Sequence, residues 1–141
     1  PSSIKICGGR RARLTWATPH AVVVTDHTTV CDINLNDSPT WRPRSAFPDG
    51  VNVEFVEQID QHTVAMRVYE RGSGETMSCG TGTVAVAATM ATRTGHRGPW
   101  TVQVPGGRVV VTLSPFDDGY RAILTGPAVI LAAGKVNLPN G

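Results

Sequence analysis

The stretch YERGSGETMSCGTGTVAVAATMATRTG, Tyr69 to Gly95, decides how this chain is read. A lone cysteine, Cys79, stands between a glycine-rich turn and an apolar run, and after Gly82 the next charged residue is Arg93. The residues from Gly80 to Thr94 predict a helix. Ser78 is its expected N-cap, Arg93 suits the negative end of the dipole, and Gly95 suits the residue that closes it. The run TVAVAATMAT is small and apolar on every side, which predicts burial rather than an amphipathic surface helix. Its alanines and threonines let surrounding strands come close.

Outward from that helix the chain reads as strands. IKIC and RARLTWA flank Gly8-Gly9 and suggest a hairpin. HAVVVTD, from His20, suits a largely buried strand. Residues 31–50 hold three prolines with Asn, Asp and Ser and predict an irregular excursion. VNVEFVEQI and TVAMRVYER alternate strongly around the short DQH, Asp60 to His62, as a hairpin does. Past the helix, WTVQV, GGRVVVTLS, YRAILTG and AVILAAG read as four more strands, with turn signals at Gly106-Gly107 and Asp118-Gly119. The expected fold is α+β: a curved, mainly antiparallel sheet wrapped around one central buried helix.

The chain has 141 residues, enough for a single domain with a real core, and its 40% hydrophobic and 17% charged residues are those of a globular protein. The net charge is only +2 and the basic residues are scattered, which argues against a nucleic-acid reader. No apolar run reaches the length of a membrane span, and no signal peptide is recognisable. The cysteines Cys7, Cys31 and Cys79 are odd in number and widely spaced, without a CxxC, and His20, His27, His62 and His96 add no ligand spacing. A metal site is therefore not expected, and a reducing, cytoplasmic setting is.

A thiol at the first turn of a helix faces unpaired backbone N–H groups and the positive end of the dipole, both of which favour thiolate over thiol. Gly80 and Gly82 strip side chains from that entrance, so the same N–H groups can seat a carboxylate or phosphate. Glu70 and Arg71 end the preceding strand, and the turn GSGETMS can bring them to the helix mouth. Arginine forks onto a carboxylate and glutamate accepts from an ammonium, so the set suits a zwitterionic amino-acid head group.

ERGSGETMSCGTG resembles the C-terminal signature of the diaminopimelate epimerase family. FPDGVNVEFVE (Phe47 to Glu57), TPHAVVV (from Thr18) and LTGPAVILAAG (from Leu124) are similar to further family segments, in the right order along nearly the whole chain. The resemblance implies a single domain, residues 1–141, forming the C-terminal half of a two-domain enzyme. That enzyme interconverts LL- and meso-diaminopimelate, on the way to lysine and peptidoglycan precursors, without a cofactor. Two cysteines, one per domain, face opposite sides of the substrate; one removes the α-proton and the other returns a proton. The resemblance makes Cys79 one of them. It gives His20 and Glu70 supporting catalytic roles and places the α-carboxylate on the backbone N–H groups of Gly80 and Thr81. It puts Asn52 and Arg71, with Thr18, at the distal end of the substrate. Its implied partners are diaminopimelate and the N-terminal domain, with room for a homodimer.

Two departures stand out. Thr18 replaces the family's asparagine ahead of Pro-His, a hydroxyl for an amide donor, and Ser78 replaces its alanine ahead of the cysteine. The first Cys-Gly-Asn-Gly motif is absent. Cys7 in ICGGRR lies too near His20 in sequence and lacks a following helix, so it is not the second catalytic thiol, and this chain alone is expected to fold but not to turn over. Two other readings stay open: half of another cysteine-based amino-acid racemase, and a non-catalytic module that binds an anion at the helix mouth with Cys79 a bystander. Cys31, His27, His62, His96 and Trp41 are read as structural.

Overall fold

The computed structural model describes residues 18–26, 28–117 and 119–136; Cys7, the hairpin expected at Gly8-Gly9 and His27 lie outside them. Among the described residues seven strands form one sheet: β1 (His20–Val24), β2 (Asn52–Gln58), β3 (Thr63–Glu70), β4 (Gly74–Thr76), β5 (Trp100–Val104), β6 (Gly107–Phe116) and β7 (Gly119–Thr125), with one helix, α1 (Gly80–Thr94). The strand order is β1-β2-β3-β5-β6-β7, and β4 pairs with the end of β3. β1 joins β2 and β3 joins β5 in parallel, while the other pairings are antiparallel. The sheet is thus mixed and mainly antiparallel. It curves, since α1 touches β1, β2, β5, β6 and β7 from the same side.

The period of two in the strands divides the apolar residues between two faces. Val56, Met66, Val68, Trp100, Val102 and Val111 meet Val86, Ala87 and Met90 of α1 in the main core. The opposite face carries a second cluster, in which Val53 and Phe55 of β2 pack with Val30, Leu35 and Val51. The proline-rich excursion is therefore a cover for the back of the sheet, tied down by 3₁₀ turns at Val30–Asp32 and Arg44–Ala46. Trp41 belongs to that cover, edge-on to Phe47 at 6.3 Å with the Arg44 guanidinium over its ring.

α1 ends where expected: Gly95 adopts φ 77° and donates to the Ala91 carbonyl. Its start differs. Cys79, not Ser78, is the N-cap, because it holds an extended backbone (φ −130°, ψ 110°) while its carbonyl accepts the Thr83 N–H at 2.8 Å. Burial differs too. Gly82, Thr83, Val86, Ala87, Met90 and Ala91 form a sealed stripe, whereas Val84, Ala85, Ala88 and Thr89 are only half-buried, since the sheet covers one side of the helix. Thr89, Thr92 and Thr94 hand their hydroxyl protons to the carbonyls four residues back, which satisfies the hydroxyls at a slight cost to the helix.

AVILAAG is not a strand. Residues 126–136 carry no strand assignment and are exposed, with Val129, Ile130 and Leu131 at 77%, 88% and 92%. An apolar β-prone run becomes a strand only against a partner edge, and the described residues offer none there.

Candidate active site at the mouth of the helix

Alternation along β2 points Asn52, Glu54 and Val56 to the helix side, and the parallel register sets His20 beside Asn52. These residues converge on the start of α1. Glu54 is fully buried and its Oε1 lies 2.6 Å from Nδ1 of His20, whose side chain is only 4% exposed. The other imidazole nitrogen, Nε2, is 3.0 Å from the Thr81 hydroxyl, and that hydroxyl is 3.6 Å from Sγ of Cys79. Asn52 closes the ring: its Oδ1 accepts the Arg71 N–H at 2.8 Å and its Nδ2 donates toward Sγ at 4.0 Å.

Cys79 as a residue is 8% exposed, while Gly80 and Thr81 next to it are open to solvent. Cys79 thus belongs to the main core cluster and borders the open start of the helix. Its side chain makes no capping bond, so the first-turn N–H groups of Gly80, Thr81 and Gly82 keep no intrahelical acceptor. The sulfur and the open first-turn N–H groups therefore belong to the same helix entrance.

The remaining sequence-derived candidates stand at varying distances from that centre. Glu70 ends β3, but its Oε1 takes the Thr76 hydroxyl at 2.6 Å; no hydrogen bond joins it to Cys79. Arg71 donates from Nη1 to the Asp49 carbonyl at 2.8 Å and lies across Gly50, where a Cβ would sit 2.6 Å from its Cδ. Thr18 is exposed just ahead of β1. His62 and His96 stack at 4.0 Å beside Trp100, away from the cluster, and Cys31 is an exposed free thiol.

Glu54 is the residue that motif reading missed. Its signal was parity: a carboxylate two residues from Asn52 on the same face of a strand cannot be on the solvent side if Asn52 is in the site. Burial pushes its carboxyl up from the usual range, the hydrogen bond and charge of His20 pull it down, and the charge of Glu70 adds an upward push. Its Oε2 is buried without a partner. Atoms of His20, Glu54 and Cys79 lie within 4.8 Å of one another. The 2.6 Å His20–Glu54 contact nevertheless falls well inside the ~3.3 Å ligand–ligand edge expected around a tetrahedral metal with ~2.0 Å bonds. The arrangement is that of hydrogen bonding.

The same carboxylate explains a glycine. A Cβ on Gly82 would lie 2.5 Å from Glu54 Oε1, whereas one on Gly80 would meet nothing within 4 Å. Gly82→Ala is therefore expected to lower unfolding stability by about 1–2 kcal/mol, overpacking outweighing the gain of about 1 kcal/mol from alanine in a helix. Gly80→Ala should be neutral or stabilising. Denaturant midpoints of the two variants test this; equal effects would show that Glu54 does not press on Gly82.

The diaminopimelate epimerase family model matches residues 14–131. The diaminopimelate epimerase of Streptomyces coelicolor is 49% identical over 128 residues, spanning 83% of this chain and 42% of the relative. That of Thermobifida fusca is 41% identical over 140 residues, spanning 98% and 48%. The chain thus spans less than half the length of these curated relatives. Among solved structures, a Bacillus anthracis phenazine biosynthesis protein of the PhzF family matches with a TM-score of 0.50 at 20% identity, covering 76% of this chain and 33% of that one, a likeness of fold alone. No helix among the described residues is long and apolar enough to cross a membrane. With the signature around Cys79, the family match over most of the sequence and relatives above 40% identity, this chain belongs to the diaminopimelate epimerase family.

Proposed function

We propose that this chain is the Cys79-bearing half of a cytoplasmic, cofactor-independent two-cysteine epimerase that interconverts LL- and meso-diaminopimelate in lysine and peptidoglycan-precursor biosynthesis. The observation that carries this reading is the placement of Cys79 at the N-cap of α1, beside first-turn N–H groups and at the end of a hydrogen-bonded chain from His20. An amino-acid α-proton is very weakly acidic, so the developing carbanion needs preorganised dipoles in a site that excludes water. In this reading the N–H groups of Gly80 and Thr81 hold the α-carboxylate, and Cys79 works one face of the α-carbon. His20 and Glu70 support the reacting centre. Arg71 and Thr18 serve the distal end. Asn52 stands nearer the sulfur than a distal grip requires, so it also steadies Cys79.

The second thiol comes from an N-terminal half. Two features support such a partner: the chain matches under half of each relative, and several large apolar side chains are left uncovered. Ile123 and Leu124 of β7 and Val129, Ile130 and Leu131 beyond it are each exposed, more apolar exposure than scattered surface residues need. The test is to combine this chain with the N-terminal half of the Streptomyces coelicolor relative and follow conversion of LL- to meso-diaminopimelate. The combination is expected to convert, and each part alone is not. Conversion of proline-like substrates instead, lacking a second amino-carboxyl end, would shift the assignment to another cysteine-based racemase. A formed complex without α-proton exchange on any amino acid would leave the anion-binding module.

A further inference from the structure

Glu54 has no role in the reading above, yet it is fully buried, charged by type and in contact with His20. We propose that Glu54 is a positioning residue: it holds His20 by Nδ1 and so aims Nε2 at the Thr81 hydroxyl, which makes a continuous chain from carboxylate to imidazole to hydroxyl to the Cys79 thiol. The inference rests on the proposed catalytic role of Cys79 and adds the route by which its proton leaves.

Both nitrogens of His20 are committed, at 2.6 Å to Glu54 Oε1 and at 3.0 Å to Thr81 Oγ1. With Glu54 ionised and His20 neutral, as the proposal takes them, the carboxylate only accepts, Nδ1 carries the proton and Nε2 presents its lone pair. The Thr81 hydroxyl then donates to Nε2, and its oxygen accepts from the Cys79 S–H at 3.6 Å. Transfer along this chain breaks the S–H bond and forms a new O–H bond on Thr81, while the old Thr81 O–H breaks and an N–H bond forms on Nε2. Thiolate and imidazolium result, the hydroxyl now points at sulfur, and nothing is gained or lost. The net charge of the cluster is minus one before and after the step. Glu54 stabilises the imidazolium end, as the acid does in nucleophile–histidine–acid sets, although here the thiolate takes a proton and attacks nothing.

Gly82 supports the assignment independently of His20. The glycine one turn into α1 leaves the room that Glu54 occupies, since any Cβ there would reach within 2.5 Å of its Oε1. The unpartnered Oε2 is a polar atom buried at a cost in stability, which a purely structural side chain would have no reason to keep. Replacement by the isosteric amide keeps the shape and removes the charge.

The experiment is Glu54→Gln in this chain. Cys79 alkylation by iodoacetamide at neutral pH is read by mass mapping, so that Cys7 and Cys31 do not interfere, and the His20 tautomer is read from imidazole ¹⁵N shifts. The unmutated chain is expected to show Nδ1–H, and the variant a mixed tautomer with Cys79 alkylation about tenfold slower, without loss of thermal stability. Wild-type alkylation with an unchanged tautomer in the variant overturns the proposal. So does an Nε2–H tautomer in the unmutated chain, a reading that stands even if the variant fails to fold. Neither readout uses diaminopimelate. A variant that behaves as expected in a combination unable to epimerise would overturn the substrate reading instead and leave the chain of contacts standing.

Discussion

Cys79→Ala, in the chain combined with its complementary half, is expected to lower α-proton exchange on diaminopimelate by at least about 10³-fold while the fold persists. The size follows from the role: a thiolate that takes or returns the proton has no substitute on its face of the substrate, and the neighbouring groups only assist. Retention of the fold follows from position. Cys79 lies at the rim of the main core, at the edge of the Val86–Met90 stripe, so alanine leaves a cavity of one sulfur at a cost of about 1 kcal/mol. Cys79→Ser makes a sharper test. Serine is a strong N-cap and would turn its hydroxyl onto the first-turn N–H groups, which Cys79 leaves free. It should stabilise the helix by up to about 1 kcal/mol and still be inactive, because the seat is then filled and the proton-carrying thiol lost. Deuterium incorporation from heavy water, with a thermal melt of each variant, reads both halves of the expectation. Full exchange by Cys79→Ala would end the catalytic assignment.

What the sequence made legible follows from which interactions leave a local mark. The helix limits were readable because Gly95 must take a left-handed backbone and the Gly80-Thr81-Gly82 entrance has a distinctive composition. The β2–β3 hairpin was readable from alternation. Ser78 was mistaken for the cap because serine is the better capping residue by type; the deciding fact, the extended backbone of Cys79, is tertiary. AVILAAG has the composition of a strand, but pairing needs an edge, and composition does not say where the edge is. Glu70 was assigned by motif to the reacting centre; its bond from the Thr76 hydroxyl, set by the short β4 strand, leaves no local mark in the sequence. Glu54 was not singled out, because a glutamate inside an alternating strand carries no motif of its own, although its parity matches Asn52.

The role of residues 31–50 was the least legible feature, and one arginine accounts for it. Arg67 of β3 donates from Nη1 to the carbonyls of Val30 at 2.8 Å, Cys31 at 3.3 Å and Ile33 at 2.7 Å, and from Nε and Nη2 to Glu75 of β4 at 2.6 and 2.8 Å. Backbone carbonyls have no signature in sequence, so the clamp is visible only in the fold. Arg67→Met keeps the apolar stem and removes the fork. It takes the guanidinium donor from the Cys31 and Ile33 carbonyls and leaves the Val30 carbonyl only the Ile33 N–H at 3.3 Å, and the expected loss is about 2–4 kcal/mol of unfolding free energy. The loss should depend on pH. The Arg67 hydrogen bond holds the Glu75 carboxyl below its usual range, so this pair stabilises the fold above the ordinary carboxylate pKa and stops doing so as pH falls through the lowered one. The gap between Arg67→Met and the unmutated chain should therefore narrow on acidification. The effect reaches the site as well, because the excursion ends at Asp49 and Gly50, which seat Arg71. Loosening it should raise KM for diaminopimelate more than it lowers kcat, since Arg71 is assigned to the distal end of the substrate and not to the reacting carbon. Urea midpoints at neutral and acidic pH, with a KM-against-kcat comparison in the combined enzyme, decide the matter: a variant that unfolds at the unmutated midpoint would show that the clamp is incidental and that apolar packing of Val30, Leu35 and Phe55 alone holds the cover in place.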